Sequence, residues 1–528
     1  MLFTNPTRSS VVLDDLTFTW PDGTPALDHL TATFSTGRTG LTGANGTGKT
    51  TLLRVITGEL SPTSGHLSVR GSVGYLPQRL TLDTDSTVAD LLGIRSVLDA
   101  LGRIELGSTD EADFDAVGDD WDIGERSLAA LAGAGLDGGG VGLARRVGTL
   151  SGGEAMLTAL VGLRLRRHDV VLLDEPTNNL DRHARQYLYD AVTDHASWAP
   201  TLIVVSHDVE LLDLMDHTAE LHTGALTVFG GPYSVYQDHL ARQQAAAEQA
   251  LTTAEQALKT EQRQQVEAQT KLARRLSYAK KDFANKRRPK RIMNNRKQEA
   301  QVSAGKLRTA MSDDVDSARA AVDEKAAAVR REDRVRIDLP APDVPAGKVI
   351  AELPGGAGDD PASVTLAGPE RLAVTGDNGS GKTRLLEDLL HDRRGVLHTD
   401  RVGYLPQRID DLDEDSTVLD VVRAAAPEVD PQRIRAQLAR FLFRKDEVDR
   451  HVRDLSGGER FRVSLARLLL AEPANQLLIL DEPTNNLDLA TVDALVDALA
   501  SYRGALIIVS HDEVLLERLE VGSRICLS

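Results

Sequence analysis

The chain has 528 residues, 41% hydrophobic, 27% charged and only 4% aromatic, so it exceeds one hydrophobic core and must pack two to four domains mainly with Leu, Val and Ala. Its single cysteine, Cys526, excludes an intrachain disulfide framework and a cysteine-ligated metal or iron–sulfur centre. No stretch reaches the roughly 18 uncharged apolar residues of a membrane span and residues 1–10 lack a signal-peptide pattern, so a cytoplasmic protein without a membrane domain is expected.

In chain order, Trp20 precedes a Pro-Asp-Gly turn, and the apolar segment 30–41 leads into GANGTGKT at residues 43–50. TLLRVITG then opens a helix. Gly43, Gly46 and Gly48 let successive backbone N–H groups turn inward around a phosphate, and the helix N-terminus adds its dipole. Lys49 is expected to reach the β- and γ-phosphates of a bound nucleotide and the Thr50 hydroxyl to ligate Mg²⁺, with Asn45 and Thr51 in the same binding set. GYLPQR follows at residues 74–79, LSGGE at 150–154 and LLDEPTNNLD at 172–181. Asp174 closes an apolar strand and is expected to hold the magnesium through water. Glu175, one residue on, would orient and deprotonate the attacking water. A β-branched run, LIVVS at 202–206, ends at His207.

The composition then changes to Ala, Gln, Glu, Lys and Arg. From Ala241 to Arg336 there are 23 Lys and Arg against 13 Asp and Glu, a net of +10, which leaves −28 for the remainder of a chain whose total is −18. Within residues 271–310 the count is 14 against 2. Leu251, Leu258, Val266, Leu272 and Leu276 recur at near-heptad spacing, as do Val315, Val322 and Val329. This predicts two long antiparallel helices joined near residues 286–295, around the segment's proline, each arm of about 40 residues being about 60 Å long. The alternative for such a segment is a solvated spacer, but a spacer has no reason to gather 12 net positive charges around its turn; polyanion binding is expected.

After the linker the earlier motifs return in the same order: GDNGSGKT at 376–383, GYLPQR at 403–408, LSGGE at 455–459, LILDEPTNNLD at 478–488 and IVSHD at 508–512. Gly376, Asn378, Gly379, Gly381, Lys382, Thr383 and Arg384 repeat the phosphate-binding set, while Asp481 and Glu482 repeat the acidic pair. Two homologous α/β domains with mostly parallel sheets are expected, at residues 1–238 and 337–528, with the basic helical linker at 239–336.

With these motifs in this order twice, the chain resembles an ATP-binding-cassette protein of the F subfamily (ABC-F) over essentially its full length. The resemblance implies an ATPase using ATP and Mg²⁺. Gln78 and Gln407 would be ligands of the metal and the attacking water, and His207 and His511 would contact the γ-phosphate. It also implies that each LSGGE binds the nucleotide of the opposite domain within one monomer. Lys49, Thr50 and Glu175 would pair with Ser456, Gly457 and Gly458, and Lys382, Thr383 and Glu482 with Ser151, Gly152 and Gly153. Family members dock in the ribosomal exit site and push the linker toward the P-site tRNA and the peptidyl-transferase centre. Ribosomal RNA and P-site tRNA are therefore the expected partners, without DNA. Resistance members dislodge drugs; the fairly long linker, with a tip rich in Arg and Asn, fits that type, although its length does not separate protection from housekeeping translation control. An exporter subunit is the other class, but nothing in it explains a basic arm between fused domains. DNA-directed relatives carry an extra C-terminal coiled domain, whereas this chain ends 17 residues after His511.

Several positions depart from the family. Asn179 and Asn486 stand where EPTNHLD has histidine. The second LSGGE is followed by Arg460 and Arg462, the first by Ala155 and Leu157, so the site using Ser151 is expected to be the slower. Trp20 suits an aromatic stacked on adenine, yet residues 349–356 offer none for the second domain. There are 73 positions from Gln78 to Ser151 against 49 from Gln407 to Ser456. The surplus falls in the acidic, glycine-rich stretch 104–140, an enlarged helical subdomain.

Overall fold

A computed structural model describes residues 10–78, 80, 85–136, 142–178, 180–194, 199–222, 224–284, 290–329, 339, 342–354, 363–377, 379–391, 393–441, 443, 445–484 and 487–527; for 275–276, 278–284, 290–304, 306–308, 328 and 490 it describes the backbone alone. Asn179, Asn378, Asn486, Arg287 and Arg288 lie outside the described residues, as do the side chains of Leu276, Lys290 and Arg291. The chain forms two compact units, Met1–Tyr233 with Arg334–Ser528, and Ser234–Asp333.

The first unit holds two α/β halves of one topology. In the first half, Val11–Thr19 pairs antiparallel with Pro25–Phe34 on one side and Ser64–Val69 on the other. A second sheet runs in the order Val73–Leu76, Val170–Asp174, Thr201–Val205, Gly37–Thr42, His217–His222 and Ala225–Gly230. All its neighbours are parallel except the last hairpin. The second half repeats both sheets. Val349–Leu353 lies between Val364–Ala367 and Val396–Leu397, and a fully parallel sheet runs Val402–Leu405, Leu477–Asp481, Ala505–Val509, Arg371–Gly376 and Ser523–Leu527.

Parallel strands of this kind are covered on both faces, and their sequences read as continuous apolar runs. Val170–Asp174 and Leu477–Asp481 are buried at every position. Their alternate side chains serve two cores. Val170 and Leu172 join Leu41, Leu52 and Leu53, while Val171 and Leu173 join Leu157 and Leu160. In the second half Leu477 and Ile479 join Leu385 and Leu386, and Leu478 and Leu480 join Phe461 and Leu465. Each such side chain contributes about 1.5–3 kcal/mol of burial. The strands are thereby fixed in register, and so is the carboxyl edge where Asp174 and Asp481 emerge, the edge at which open α/β sheets bind ligands.

The longer stretch between Gln78 and Ser151 contains the helices Arg95–Glu105, Glu111–Val117 and Ile123–Gly133. Ile123 and Leu131 pack into the core that holds Leu157. The surplus is thus a built helical layer.

The second unit contains most of the helix Tyr233–Ala284, 52 residues, and Lys290–Ala328, 39 residues. The first is about 78 Å long, beyond the arm length that the sequence suggests. Half-burial recurs at alternating spacings of four and three at Leu240, Gln244, Ala247, Leu251, Ala254, Leu258, Glu261, Gln265, Ala268 and Leu272, and again at Met311, Val315, Ala318, Val322 and Lys325. That 3.5-residue period is the period of a coiled-coil seam. Val266 is off it: the residue is 61% exposed, and Gln265 takes the seam position, because the heptad count from Leu258 through Glu261 falls one residue earlier. Among the described residues no helix is long and apolar enough to cross a membrane.

Candidate nucleotide-binding site

Each phosphate loop joins a buried strand to a helix, Gly37–Thr42 to Lys49–Ile56 and Arg371–Gly376 to Lys382–Leu390. Gly48 and Gly381 cap these helices at φ 99° and 90°, a region open to glycine at little cost. Gly43 and Gly376 stand behind the loops, where a Cβ would meet the carbonyl oxygens of Leu221 and Leu527. They shape the loop rather than line it. Lys49 Nζ donates to the carbonyls of Gly43 at 2.6 Å and Ala44 at 3.1 Å, and Lys382 Nζ to those of Gly376 at 2.6 Å and Asp377 at 3.0 Å. Burial lowers both lysine pKa values, opposed in each case by carboxylates. One opposing carboxylate comes from the other half: Asp488 acts on Lys49 and Asp181 on Lys382.

Asp174 and Asp481 are buried at the ends of their strands. Asp481 Oδ2 accepts the Thr383 hydroxyl at 2.7 Å, and Asp174 accepts hydrogen bonds from Thr50 and from Tyr75, the latter at 3.4 Å. In both residues Oδ1 is buried without a hydrogen-bond partner among the described residues. An orphaned carboxylate oxygen beside a threonine hydroxyl fits a hard divalent cation, and desolvation raises both aspartate pKa values. Thr50, Gln78 and Asp174 could hold Mg²⁺ in one half, and Thr383, Gln407 and Asp481 in the other. Among the described residues no group of three or more His, Cys, Asp or Glu could hold an ion.

Glu175 and Glu482 have φ of 49° and 48°, a left-handed conformation that costs a non-glycine residue roughly 1–3 kcal/mol and persists only where the surroundings enforce it. Their amides are held by the carbonyls of Val205 at 2.8 Å and Val509 at 2.9 Å on the neighbouring strand. The turn sets each carboxyl beside a histidine: Glu175 Oε1 to His207 Nε2 is 3.2 Å, and Glu482 Oε1 to His511 Nε2 is 3.3 Å. Burial pushes the carboxyl of Glu482 up to about 7 and the imidazole of His511 down to about 4. Glu175 and His207 shift in the same two directions for the same reason. The imidazoles are neutral at pH 7, so neither contact is an ion pair.

Ser151 and Ser456 cap the helices Gly152–Arg166 and Gly457–Leu469 in reciprocal capping boxes with Glu154 and Glu459. The positive ends of these helices open on one cleft of about 1630 Å³, larger than the usual pocket for a single small molecule, roughly 300–1,000 Å³. Its walls come from both halves. They include Asn45, Gly46, Gly48, Lys49, Thr50 and Thr51 of the first loop, Gly379, Gly381, Lys382, Thr383 and Arg384 of the second, Gln78 and Gln407, and both Ser-Gly-Gly triplets. Asp174, Glu175, Asp481, Glu482 and His511 also line it, and His207 stands beside Glu175 with its side chain 10% exposed. Trp20 is on the wall, set edge-on to Phe18 at 5.0 Å between ring centroids. The halves meet here directly: the Asn45 amide donates to Asp488 Oδ2 at 2.7 Å, and Gly458 faces the Asn45 side chain.

The profile of the ABC transporter family matches residues 27–178 and 360–485. The tylosin resistance ATP-binding protein TlrC of Streptomyces fradiae is 34% identical to this chain over 94% of this chain and 94% of its own. The chain is an ATP-binding-cassette ATPase of the ABC-F type. The energy-dependent translational throttle protein EttA of Escherichia coli O6:H1 is 27% identical over 93% of this chain and 88% of its own. Among solved structures, the RNase-L Inhibitor superposes with a TM-score of 0.55 at 19% identity, covering 96% of this chain and 86% of its own, a likeness of fold. The two halves are therefore tandem cassettes that bind and hydrolyse ATP.

Two features of this ABC-F ATPase are not carried by its motifs. Arg460 grips Glu414 with both guanidinium nitrogens at 2.6 and 2.9 Å, and Arg462 lies 5.2 Å over the Phe443 ring. Both arginines are held within the second cassette and Arg460 is also on the cleft wall; in the first, Leu157 is buried among apolar side chains and Ala155 lines the cleft. Asp181 and Asp488, the last residues of the repeated acidic block, were not singled out by motif reasoning as members of the site. Their repetition in both copies was the available signal.

Proposed function

We propose that this ABC-F ATPase binds the ribosomal exit site in its ATP-bound closed form. Its linker, residues 239–336, would act near the P-site tRNA and the peptidyl-transferase centre and so protect translation from an antibiotic. One observation carries the ribosome reading: 14 Lys and Arg against 2 Asp and Glu in residues 271–310 of a chain with net charge −18. Affinity for RNA rests on such contacts to phosphate and falls steeply with salt. The relatives support it, one named a tylosin resistance protein and another a translational throttle. The first, the more identical of the two, favours resistance.

In this reading Lys49, Thr50 and Glu175 work with Ser456, Gly457 and Gly458, and Lys382, Thr383 and Glu482 with Ser151, Gly152 and Gly153. The water oxygen bonds to the γ-phosphorus as the bond to the β–γ bridging oxygen breaks, and that oxygen leaves with ADP. Glu175 or Glu482 takes the water proton, with His207 or His511 facing the γ-phosphate. Mg²⁺, when bound, neutralises phosphate charge. The lysines and the signature helices supply fixed positive charge to the same oxygens. Because the two cassettes share each nucleotide, ATP favours closure and its loss favours opening.

The test is co-sedimentation of the Glu175→Gln, Glu482→Gln variant with ribosomes in ATP. It pellets at low salt and is released as salt rises. No pelleting at low salt overturns the ribosome reading. Unchanged drug susceptibility on expression of the wild type removes the resistance role and leaves general control of translation.

A further inference from the structure

We propose that Arg185, contributed by the first cassette, is a positioning residue of the composite site built on Lys382 and Glu482, and that Val492 leaves the site built on Lys49 and Glu175 without a counterpart. The inference rests on the composite-site reading above.

The two positions correspond by structure. Asp181 caps the helix Arg182–Thr193 through the Ala184 amide at 2.9 Å, and Asp488 caps Leu489–Ser501 through the Thr491 amide at 2.8 Å. Four residues beyond each cap stand Arg185 and Val492. Arg185 lines the cleft with its side chain 20% exposed. Its Nε is buried and makes no hydrogen bond among the described residues. On its own cassette its ion-pair partner is Asp208, at a loose 3.8 Å, and the same Asp208 oxygen already accepts the Tyr189 hydroxyl at 2.6 Å. Glu210 lies in the same field.

Across the interface the guanidinium charge acts on Glu482, His511 and Asp512 of the second cassette. Among the described residues no arginine acts on Glu175 or His207, whose charged neighbours are Lys49, Asp174, Asp208 and Asp488. Val492 is apolar and packs against the second cassette's core. The second site therefore has a cation from the opposite cassette lining its cleft and acting on its water-activating pair, whereas the corresponding position of the other half is a hydrocarbon packed on its own core. A preorganised cation in a water-poor site stabilises the charge that develops during phosphoryl transfer. Because Arg185 comes from the other cassette, it is in place only when the cassettes are closed, and this ties hydrolysis at the second site to closure.

The test separates the sites. In full-length Glu175→Gln protein, where Glu482 alone activates water, Arg185→Val should lower kcat about tenfold with the KM for ATP within twofold, and Arg185→Lys should recover part of the loss. In Glu482→Gln protein the same substitution should change the rate less than twofold. Equal losses in both backgrounds, or an unchanged kcat in the first, overturn the assignment to Arg185. If each single glutamine variant is as inactive as the double variant, the composite sites do not work separately and the underlying reading falls with it.

Discussion

Replacing Glu482 with Gln keeps the size of the side chain and removes its charge, which makes it a test of the electrostatics of the site before any nucleotide is added. The side chain is 11% exposed, and burial, the largest influence on it, lifts the carboxyl from an ordinary 4.5 to about 7, with Lys382 opposing. In the unfolded chain the carboxyl ionises above 4.5, in the folded cassette only near 7. The penalty on folding is therefore absent below pH 4.5, grows between the two values and is constant above the higher one. At about 1.36 kcal/mol per pKa unit it reaches about 3 kcal/mol at pH 8 and stays below about 1 kcal/mol at pH 5. Glutamine carries no such penalty. The Glu482→Gln protein should therefore unfold at a higher temperature than the wild type, by roughly 6–12 °C at pH 8 and far less at pH 5. The assay is differential scanning calorimetry across pH 5–8 with EDTA and without nucleotide, read on the transition of the second cassette. Hydrolysis at that site should fall about 10²- to 10⁴-fold, the usual worth of a general base. An equal gain at every pH, or a loss of stability at pH 8, would refute the desolvation argument.

Ser456→Ala removes the side-chain half of a capping box and should cost about 1 kcal/mol of stability. On the composite-site reading it should also slow hydrolysis at the Glu175 site, measured in the Glu482→Gln background; an unaffected rate there would contradict that reading. Arg460→Ala breaks a half-exposed pair with Glu414, so it should cost less than about 1 kcal/mol and change ATP affinity less than twofold by isothermal titration. A large loss of affinity would mean that this arginine touches the nucleotide.

Much of the site was legible because phosphate chemistry dictates it locally. A loop of glycines ending in Lys-Thr and an acidic pair closing an apolar strand carry their meaning within a few residues, and their recurrence in the same order revealed the tandem cassettes. The linker's charge could be counted and its heptads read. Val266 lies off the seam because one residue's drift is enough to move a side chain from it. The partners of Arg460 and Arg462, Glu414 and Phe443, lie 46 and 19 positions earlier in the chain, beyond the reach of any local pattern.

The class of chemistry, the double architecture and the basic stretch between its halves can be read from residues alone, since each rests on short-range pattern or on counting. Which residues of one cassette face the other is set by the folded chain. Asn45 meets Asp488 across 443 positions of sequence, Asp181 acts on Lys382, and Arg185 reaches the charges around Glu482 while Val492 offers no equal. Such pairings depend on how two separately folded sheets bring their carboxyl edges together, and no local run of residues encodes that distance.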